Sequence, residues 1–446
     1  MEIRAVVLLV AMTVTLCSSA AVKNHWLGYK LYRLQVSTQE QLEFLRALDQ
    51  EIEYKDLQDK VDIWTHLSQA VLDLKMPINV IISPEKQPEV LALLEEQGIA
   101  YKVSIDDVAA AVEAESFMSP ADQKAADAGK MSWTAYHRYA TMEAFVQSLA
   151  QDYSDIVELK MIGKSYEGRS MYRLKVGKPR ADGKKKPAIW MDSHIHAREW
   201  IASATLLYMT NKLVTEYSRN STVRRMVDDL DWYILPVVNP DGLEHTHSDS
   251  SYSTRMWRRT RRISPFAECL GADPNRNYDF KWMLSGAVQS PPCSDINAGA
   301  FPFSEVENLH LTDTALEVKD QLKVFLTIHS AAQMILTPWG YALEYPSDIA
   351  DLEALGRRMA NAITAQYGVR YQVGSSTYLL GAAAGATDDW GKAKAGVKYS
   401  YTVELRDLGY GFILPPSHIV PSGIETFEAI IEAHRTVVAE FGTTLN

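Results

Sequence analysis

The stretch Met191-Asp-Ser-His-Ile-His-Ala-Arg-Glu-Trp200 constrains this chain more than any other. It continues the apolar run Ala188-Ile-Trp-Met191, which reads as a buried strand, and sets an imidazole and a carboxylate three residues apart just beyond the strand's end. At that spacing His196 and Glu199 fall on one side of a turn or first helical turn. Both can then face one Zn2+, leaving it short of at least one further protein ligand. The pair alone is also what a strand-capping histidine beside a solvated first-turn Glu looks like, so the rest of the chain has to agree with it.

After Lys130 the composition shifts to aromatic residues and long apolar segments alternating with helical patterns, which predicts an α/β domain. Its strongest strands are Ala188 to Met191, Trp232 to Val238, Lys323 to Ile328 and Lys398 to Val403. Amphipathic helices follow the first (Ile201, Ala204, Tyr208) and close the chain (Ile424, Phe427, Ile431, Val438). Ligands of open α/β sheets gather at the carboxyl ends of strands, and three of these ends supply His196, His329 and Glu404. His329 is the third ligand that His196 and Glu199 lack. Two His and one Glu leave a coordination position open, as a hydrolytic zinc site requires, and Glu404 beside it has the chemistry of a general base.

With 446 residues, 47% of them hydrophobic and 23% charged, the chain reads as globular and too long for one ordinary domain. Arg4, the apolar run Ala5 to Leu16 and the small residues Ser18-Ser-Ala20 read as a secretory signal over residues 1–20, cleaved near Ala20. That run is too short to span a membrane and no later one suffices, so a soluble, secreted, extracellular protein is expected. Cys17 leaves with the signal. Cys269 and Cys293 remain as an even pair in an oxidising compartment, which predicts one disulfide. Asn220-Ser-Thr is a candidate glycosylation acceptor.

The front of the mature chain alternates strands (Tyr29 to Val36, Val61 to Leu67, Ile78 to Ser83, Tyr101 to Ile105) with helices (Gln39 to Ile52, Gln87 to Gln97). The order βαββαβ predicts a small α+β open sandwich. From Asp107 to Lys130 the chain is rich in Ala, Glu, Asp and Lys with little apolar period, which reads as a connecting helix or linker open to proteases, with Lys124 and Lys130 as candidate cut points. The boundaries expected are 21–118 for the small domain, 119–130 for the linker and 131–446 for the large domain.

A net charge of −11 argues against nucleic acid or an anionic membrane as the main partner. One basic cluster, Arg255-Met-Trp-Arg-Arg-Thr-Arg-Arg262, stands out, and taken alone it reads as a solvated face or a protease-labile loop.

The segments HIHAREW, RMWRRTR, GADPNRNYD, TIHS and YTVELRD follow one another in an order and spacing that resemble the secreted metallocarboxypeptidases of the funnelin type, carboxypeptidase A/B-like and of the invertebrate digestive kind. The resemblance covers nearly the whole chain. It implies a zymogen of signal, inhibitory pro-domain and catalytic domain, the last built on a mixed, mostly eight-stranded twisted sheet flanked by helices. It implies one Zn2+ on His196, Glu199 and His329, with Glu404 as general base and Arg258 as the cation that stabilises the oxyanion. Asn275 and Arg276 match the pair that clamps the terminal carboxylate, Arg198 and Arg255 match accessory cations lining the approach, and Cys269 with Cys293 match the family's disulfide. The implied partners are peptide or protein C-termini as substrate and a trypsin-like activating protease, with the enzyme a monomer.

Gly385-Ala-Thr-Asp-Asp-Trp390 aligns with the family stretch that floors the pocket for the substrate's last side chain, and Asp388 there predicts a preference for C-terminal Lys or Arg. The chain departs from the pattern at Gly381, where the family carries a mobile tyrosine. Tyr378, three residues earlier, is the one phenol that a shifted loop could bring in. His194 reads as a supporting or spectator residue, and His245 and His247 as solvated residues of a polar loop after Asn239-Pro-Asp-Gly242. Besides the active carboxypeptidase, two readings stay open: a weakened relative that captures peptide C-termini, and a zinc amidohydrolase of N-acyl amino acids.

Overall fold

Two sheets organise the computed structural model, which describes residues 25–55, 57–263 and 269–442. The expected signal segment lies outside the described residues.

The first sheet has four antiparallel strands, β1 (Lys30–Gln35), β2 (Val61–Ile63), β3 (Ile78–Ile82) and β4 (Ala100–Ile105), in the order β2-β3-β1-β4. Helices Gln39–Tyr54 and Gln87–Glu96 close a core with it that includes Tyr32, Leu34, Leu45, Val80 and Leu94. Thr38 starts the first helix by accepting from the Gln41 amide, and Pro88 fits the first turn of the second. The expected strand Val61 to Leu67 stops at Ile63, and a short helix, Gln69–Asp73, intervenes before β3. The reason is tertiary. Trp64 leaves the sheet to pack on Phe412, with ring centroids 5.3 Å apart, and its indole N–H reaches Asp62 and the Tyr252 hydroxyl. The connector is helical, Val108–Ser116 followed by Pro120–Asp127, and the second helix opens on a capping box of Ser119 and Asp122.

The second sheet has eight strands in the order β11-β10-β12-β9-β7-β8-β6-β5: β5 (Val157–Lys164), β6 (Ser170–Val176), β7 (Ala188–Ser193), β8 (Asp231–Leu235), β9 (Leu322–His329), β10 (Met334–Thr337), β11 (Gln372–Ser375) and β12 (Tyr399–Glu404). Its central four, β12, β9, β7 and β8, are parallel and almost wholly buried on both faces, which is why their sequences are nearly continuous apolar runs. One face carries helices Trp200–Thr215, Ile349–Tyr367 and Ile419–Phe441, and the other a smaller core around Trp190, Tyr278, Phe325 and Trp390. The parallel register brings the ends of β7, β9 and β12 to one level, with Ser193 opposite Ile328 and His329 opposite Glu404. Among the described residues no helix is long and apolar enough to cross a membrane.

Candidate active site

His196 and Glu199 lie in the turn that joins β7 to helix Trp200–Thr215, with Glu199 at that helix's N-cap, while His329 ends β9. Asn239 holds the turn from behind, its Nδ2 donating to the carbonyls of Ile195 at 3.2 Å and Arg259 at 3.0 Å. All three side chains are buried, and one ligand atom from each lies within 4.8 Å of the others. The Nδ1 atoms of His196 and His329 are 3.2 Å apart, and Glu199 reaches them at 2.7 and 3.3 Å. Two ligands about 2.0–2.1 Å from a tetrahedral zinc are themselves about 3.3 Å apart, so the donors are spaced for that ion. The other ring nitrogens are oriented as metal-ligand histidines usually are: His196 Nε2 faces Asp273 Oδ1 at 3.1 Å, and His329 Nε2 faces Thr327 Oγ1 at 3.3 Å, which in turn donates to Asp192 at 2.7 Å.

His196 and Glu199 of the triad open into a cavity of about 300 Å³ whose wall also includes Arg198, Arg258, Asn275, Arg276, Asp388 and Glu404. Burial pushes the Glu404 carboxyl up to about 7, and a cation bound at the triad would pull it back down. Asp273, fully buried, joins several of these groups. Its Oδ1 takes the Asn275 amide at 2.8 Å besides His196, and its Oδ2 takes Arg258 through Nε at 3.1 Å and Nη2 at 2.8 Å. Arg258, His196 and Arg276 hold this carboxyl well below the usual range against the opposing effect of burial, the largest single influence on it. Sequence reading passed over Asp273. Its one visible signal is an Asp before Pro274, the cap of the short 3-10 turn Pro274–Arg276.

Asn275 is fixed by Thr387, whose backbone N–H and hydroxyl both donate to Oδ1 at 2.9 Å. A backbone amide can only donate, so Oδ1 faces Thr387 and Nδ2 is left toward the cavity. Arg276 is anchored by Nε to the Gly286 carbonyl at 2.7 Å. Gly385 lets its own segment pass close to the Arg276 backbone, because with φ +78° a Cβ there would stand 2.4 Å from the Arg276 carbonyl oxygen. Asp388 follows Thr387 in helix Thr387–Ala393, is buried, and takes the Ser376 hydroxyl at 3.3 Å. Asp389 points elsewhere and accepts the amides of Gly340 and Tyr341.

Four expectations are corrected. Arg255 does not line the cavity: it is buried behind Arg198, in a fork with Glu115 of the connector. Tyr378 is also absent from the cavity wall. It sits on helix Ser376–Leu380, and its hydroxyl donates to Asp73 of the small domain at 2.9 Å. His245 and His247 are not solvated loop residues but belong to helix Pro240–Thr246 and its cap, His247 stacked 3.9 Å from Trp200 and His245 edge-on to Trp257. The basic cluster is likewise no solvated face, since Arg259 and Arg261 lie over Trp257 and Arg255 over Trp200. His194 is a support, its Nδ1 meeting Ser203 Oγ at 3.1 Å. Asn220 caps helix Ser221–Asp229 through Oδ1, and its Nδ2 donates to Glu216. Cys269 and Cys293 form the expected disulfide.

The small domain roofs the cavity with residues that include Trp64, His66, Lys75 and Met76. His66 carried no signal in the sequence. Its ring is exposed to the cavity rather than to bulk water; burial there, then Arg258, Arg276 and Arg198, push its pKa down and keep it neutral.

Residues 142–429 match the family described as zinc carboxypeptidase, and residues 32–115 match the carboxypeptidase activation peptide. Carboxypeptidase B of Astacus astacus is 46% identical over 313 residues, which is 70% of this chain and 98% of that protein. Carboxypeptidase B of Rattus norvegicus is 35% identical over 95% of this chain and 97% of its own, and carboxypeptidase A1 of Sus scrofa 34% identical over 92% and 94%. Among solved structures, thrombin activatable fibrinolysis inhibitor superposes with a TM-score of 0.79 at 29% identity, covering 93% of this chain and 100% of its own. Carboxypeptidase A of Helicoverpa armigera gives 0.77 at 28%, covering 94% and 99%. The chain belongs to the zinc carboxypeptidase family and is a metallocarboxypeptidase that carries its activation peptide.

Proposed function

We propose that this protein is a secreted zymogen whose cut form removes single residues from polypeptide C-termini, with preference for Lys and Arg. The carrying observation is that one cavity joins His196 and Glu199 of the metal triad, Glu404, Arg258, the Asn275–Arg276 pair and the buried Asp388 under a roof from the small domain. Zn2+ held by His196, Glu199 and His329 would supply Lewis acidity for the scissile carbonyl and acidify the attacking water. Glu404 takes the proton and passes it to the leaving amine. Arg258, held by Asp273, stands ready for the oxyanion developing on the scissile carbonyl. Arg276 and the Nδ2 of Asn275 fork onto a terminal carboxylate, which favours chain ends over internal bonds. Asp388 then attracts a basic last side chain, and its desolvation disfavours an apolar one.

The roof makes the uncut form latent, and cutting after Lys130 is favoured over Lys124. Lys124 lies within helix Pro120–Asp127, whereas Lys130 is exposed and follows the turn at Gly129. The test is tryptic cutting of the recombinant zymogen, followed by mass spectrometry of peptides that differ only in their last residue, with and without a zinc chelator. Chelator-sensitive loss of one C-terminal Arg or Lys after a cut at Lys130 is the expected result. Equal activity before cutting, or faster release of Phe than of Arg, would contradict it.

A further inference from the structure

A turn over residues 216–219 joins helix Trp200–Thr215 to helix Ser221–Asp229 and ends on the exposed Arg219. An exposed basic residue at a turn is where a trypsin-like protease cuts, and the bond at risk here is Arg219–Asn220. The residue after that bond opens Asn220-Ser-Thr222, the one Asn-X-Ser/Thr pattern of the chain.

The Asn220 side chain divides its two polar atoms between two tasks. Oδ1 caps the second helix, accepting the amides of Thr222 at 3.0 Å and Val223 at 3.3 Å. Nδ2 carries two N–H groups and spends one on Glu216 Oε2, at 3.0 Å. A substituent on Nδ2 therefore leaves the cap whole and still leaves an N–H for Glu216. Ser218, Arg219 and Ser221 beside it are exposed, so a bulky substituent has solvent to enter. It also stands clear of the chemistry. Helix Trp200–Thr215 starts next to Glu199 and carries the chain about 24 Å away before the turn, and among the described residues none from 216 to 225 lines the cavity.

We propose that Asn220 carries an N-linked glycan in the secreted protein, and that the glycan shields the Arg219–Asn220 bond from the protease that cuts at Lys130. Nδ2 takes the sugar from a lipid-linked oligosaccharide diphosphate. A bond forms from Nδ2 to the anomeric carbon, that carbon's bond to the phosphate oxygen breaks, the lipid diphosphate leaves and one Nδ2 proton is released. The inference rests on the secreted-zymogen reading and deepens it. A chain activated by a trypsin-like protease has to expose Lys130 and spare Arg219, and a sugar on the residue directly after Arg219 obstructs that bond alone.

The test expresses the full chain, residues 1–20 included, in a glycosylating eukaryotic host. Secreted protein treated with peptide-N-glycosidase in heavy-oxygen water should show position 220 as labelled Asp by mass spectrometry. Untreated protein given an activating dose of trypsin should yield a new N-terminus at Met131 and little at Asn220. Thr222→Ala removes the acceptor pattern but keeps the cap, which uses the Thr222 backbone N–H, and should be cut at Arg219 several-fold faster. Wild type freed of its glycan under native conditions should behave the same way, and decides the matter if the variant is not secreted. An unlabelled position 220 in secreted protein overturns the site, and equal cutting at Arg219 with and without the glycan overturns the shield. Retention of the chain inside the cell, or no cut at Lys130, would overturn the secreted-zymogen reading instead.

Discussion

His329 and Glu404 stand opposite each other in register at the carboxyl ends of two adjacent parallel strands, β9 and β12. The spacing of metal donor and proposed base is therefore set by sheet register, and slipping β12 by one residue would turn Glu404 to the other face of the sheet. Glu404→Gln should keep a single equivalent of zinc by elemental analysis and lower kcat by about 10²–10⁴-fold. His196→Ala or His329→Ala should lose stoichiometric zinc, and a variant that keeps it would refute the ligand assignment.

Asp273→Asn keeps the shape of the side chain but weakens its hold on His196 Nε2 and the Arg258 fork. Zinc affinity should fall about 10- to 100-fold in competition with a chelator, and kcat should fall along with it. Unchanged affinity would mean that the His196 ring is held well enough by the turn alone.

Asp388→Ala should remove the preference for C-terminal Arg over Leu, with kcat/KM for Arg falling about 100-fold and that for Leu holding or rising. The comparison needs paired peptides identical but for the last residue. A preference that survives the substitution places the basic-side-chain partner elsewhere in the cavity.

At position 381 the backbone has φ +93°, a left-handed conformation, with nothing within 4 Å of a built Cβ. Space is open there but the backbone disfavours any side chain, so Gly381→Tyr should lower Tm by a few degrees before any gain in KM is read. Tyr378→Phe should leave kcat/KM of the cut enzyme within about twofold, because Tyr378 stands on helix Ser376–Leu380, outside the cavity wall. A crippled Tyr378→Phe enzyme would instead make this residue the lid.

Glu307 is fully buried, its Oε1 takes the Tyr166 amide at 2.8 Å, and Oε2 has no hydrogen-bond partner among the described residues; burial pushes its pKa to about 7. A carboxyl raised on folding contributes stability below its unfolded pKa, near 4.3, and loses that contribution as pH climbs to about 7. Glu307→Gln should escape the loss, so its Tm relative to wild type should rise across this window, equivalent to about 3–4 kcal/mol. A difference independent of pH would show that Glu307 does not titrate there.

The parts legible in the sequence were those written as continuous runs or local spacings. The central strands are apolar because both faces are covered, and His329 and Glu404 could be read from their ends. The outer strands β5, β6, β10 and β11 were not anticipated, since their partly exposed or short segments lack that pattern. Asp273 escaped because its partners are brought to it by the fold, His196 lying 77 residues away. Arg255 was expected among the cations lining the approach, and no local pattern could reveal that Glu115, 140 residues earlier, fills its fork.

The insertion of β12 between β9 and β10 also governs timing. A nascent chain can complete β9 and present its three metal donors long before residues 399–404 leave the ribosome, yet until then β9 has an open edge and the cavity has neither Glu404 nor one of its walls. A chain terminated before residue 399 should therefore be hydrolytically silent even after the activation peptide is cut away.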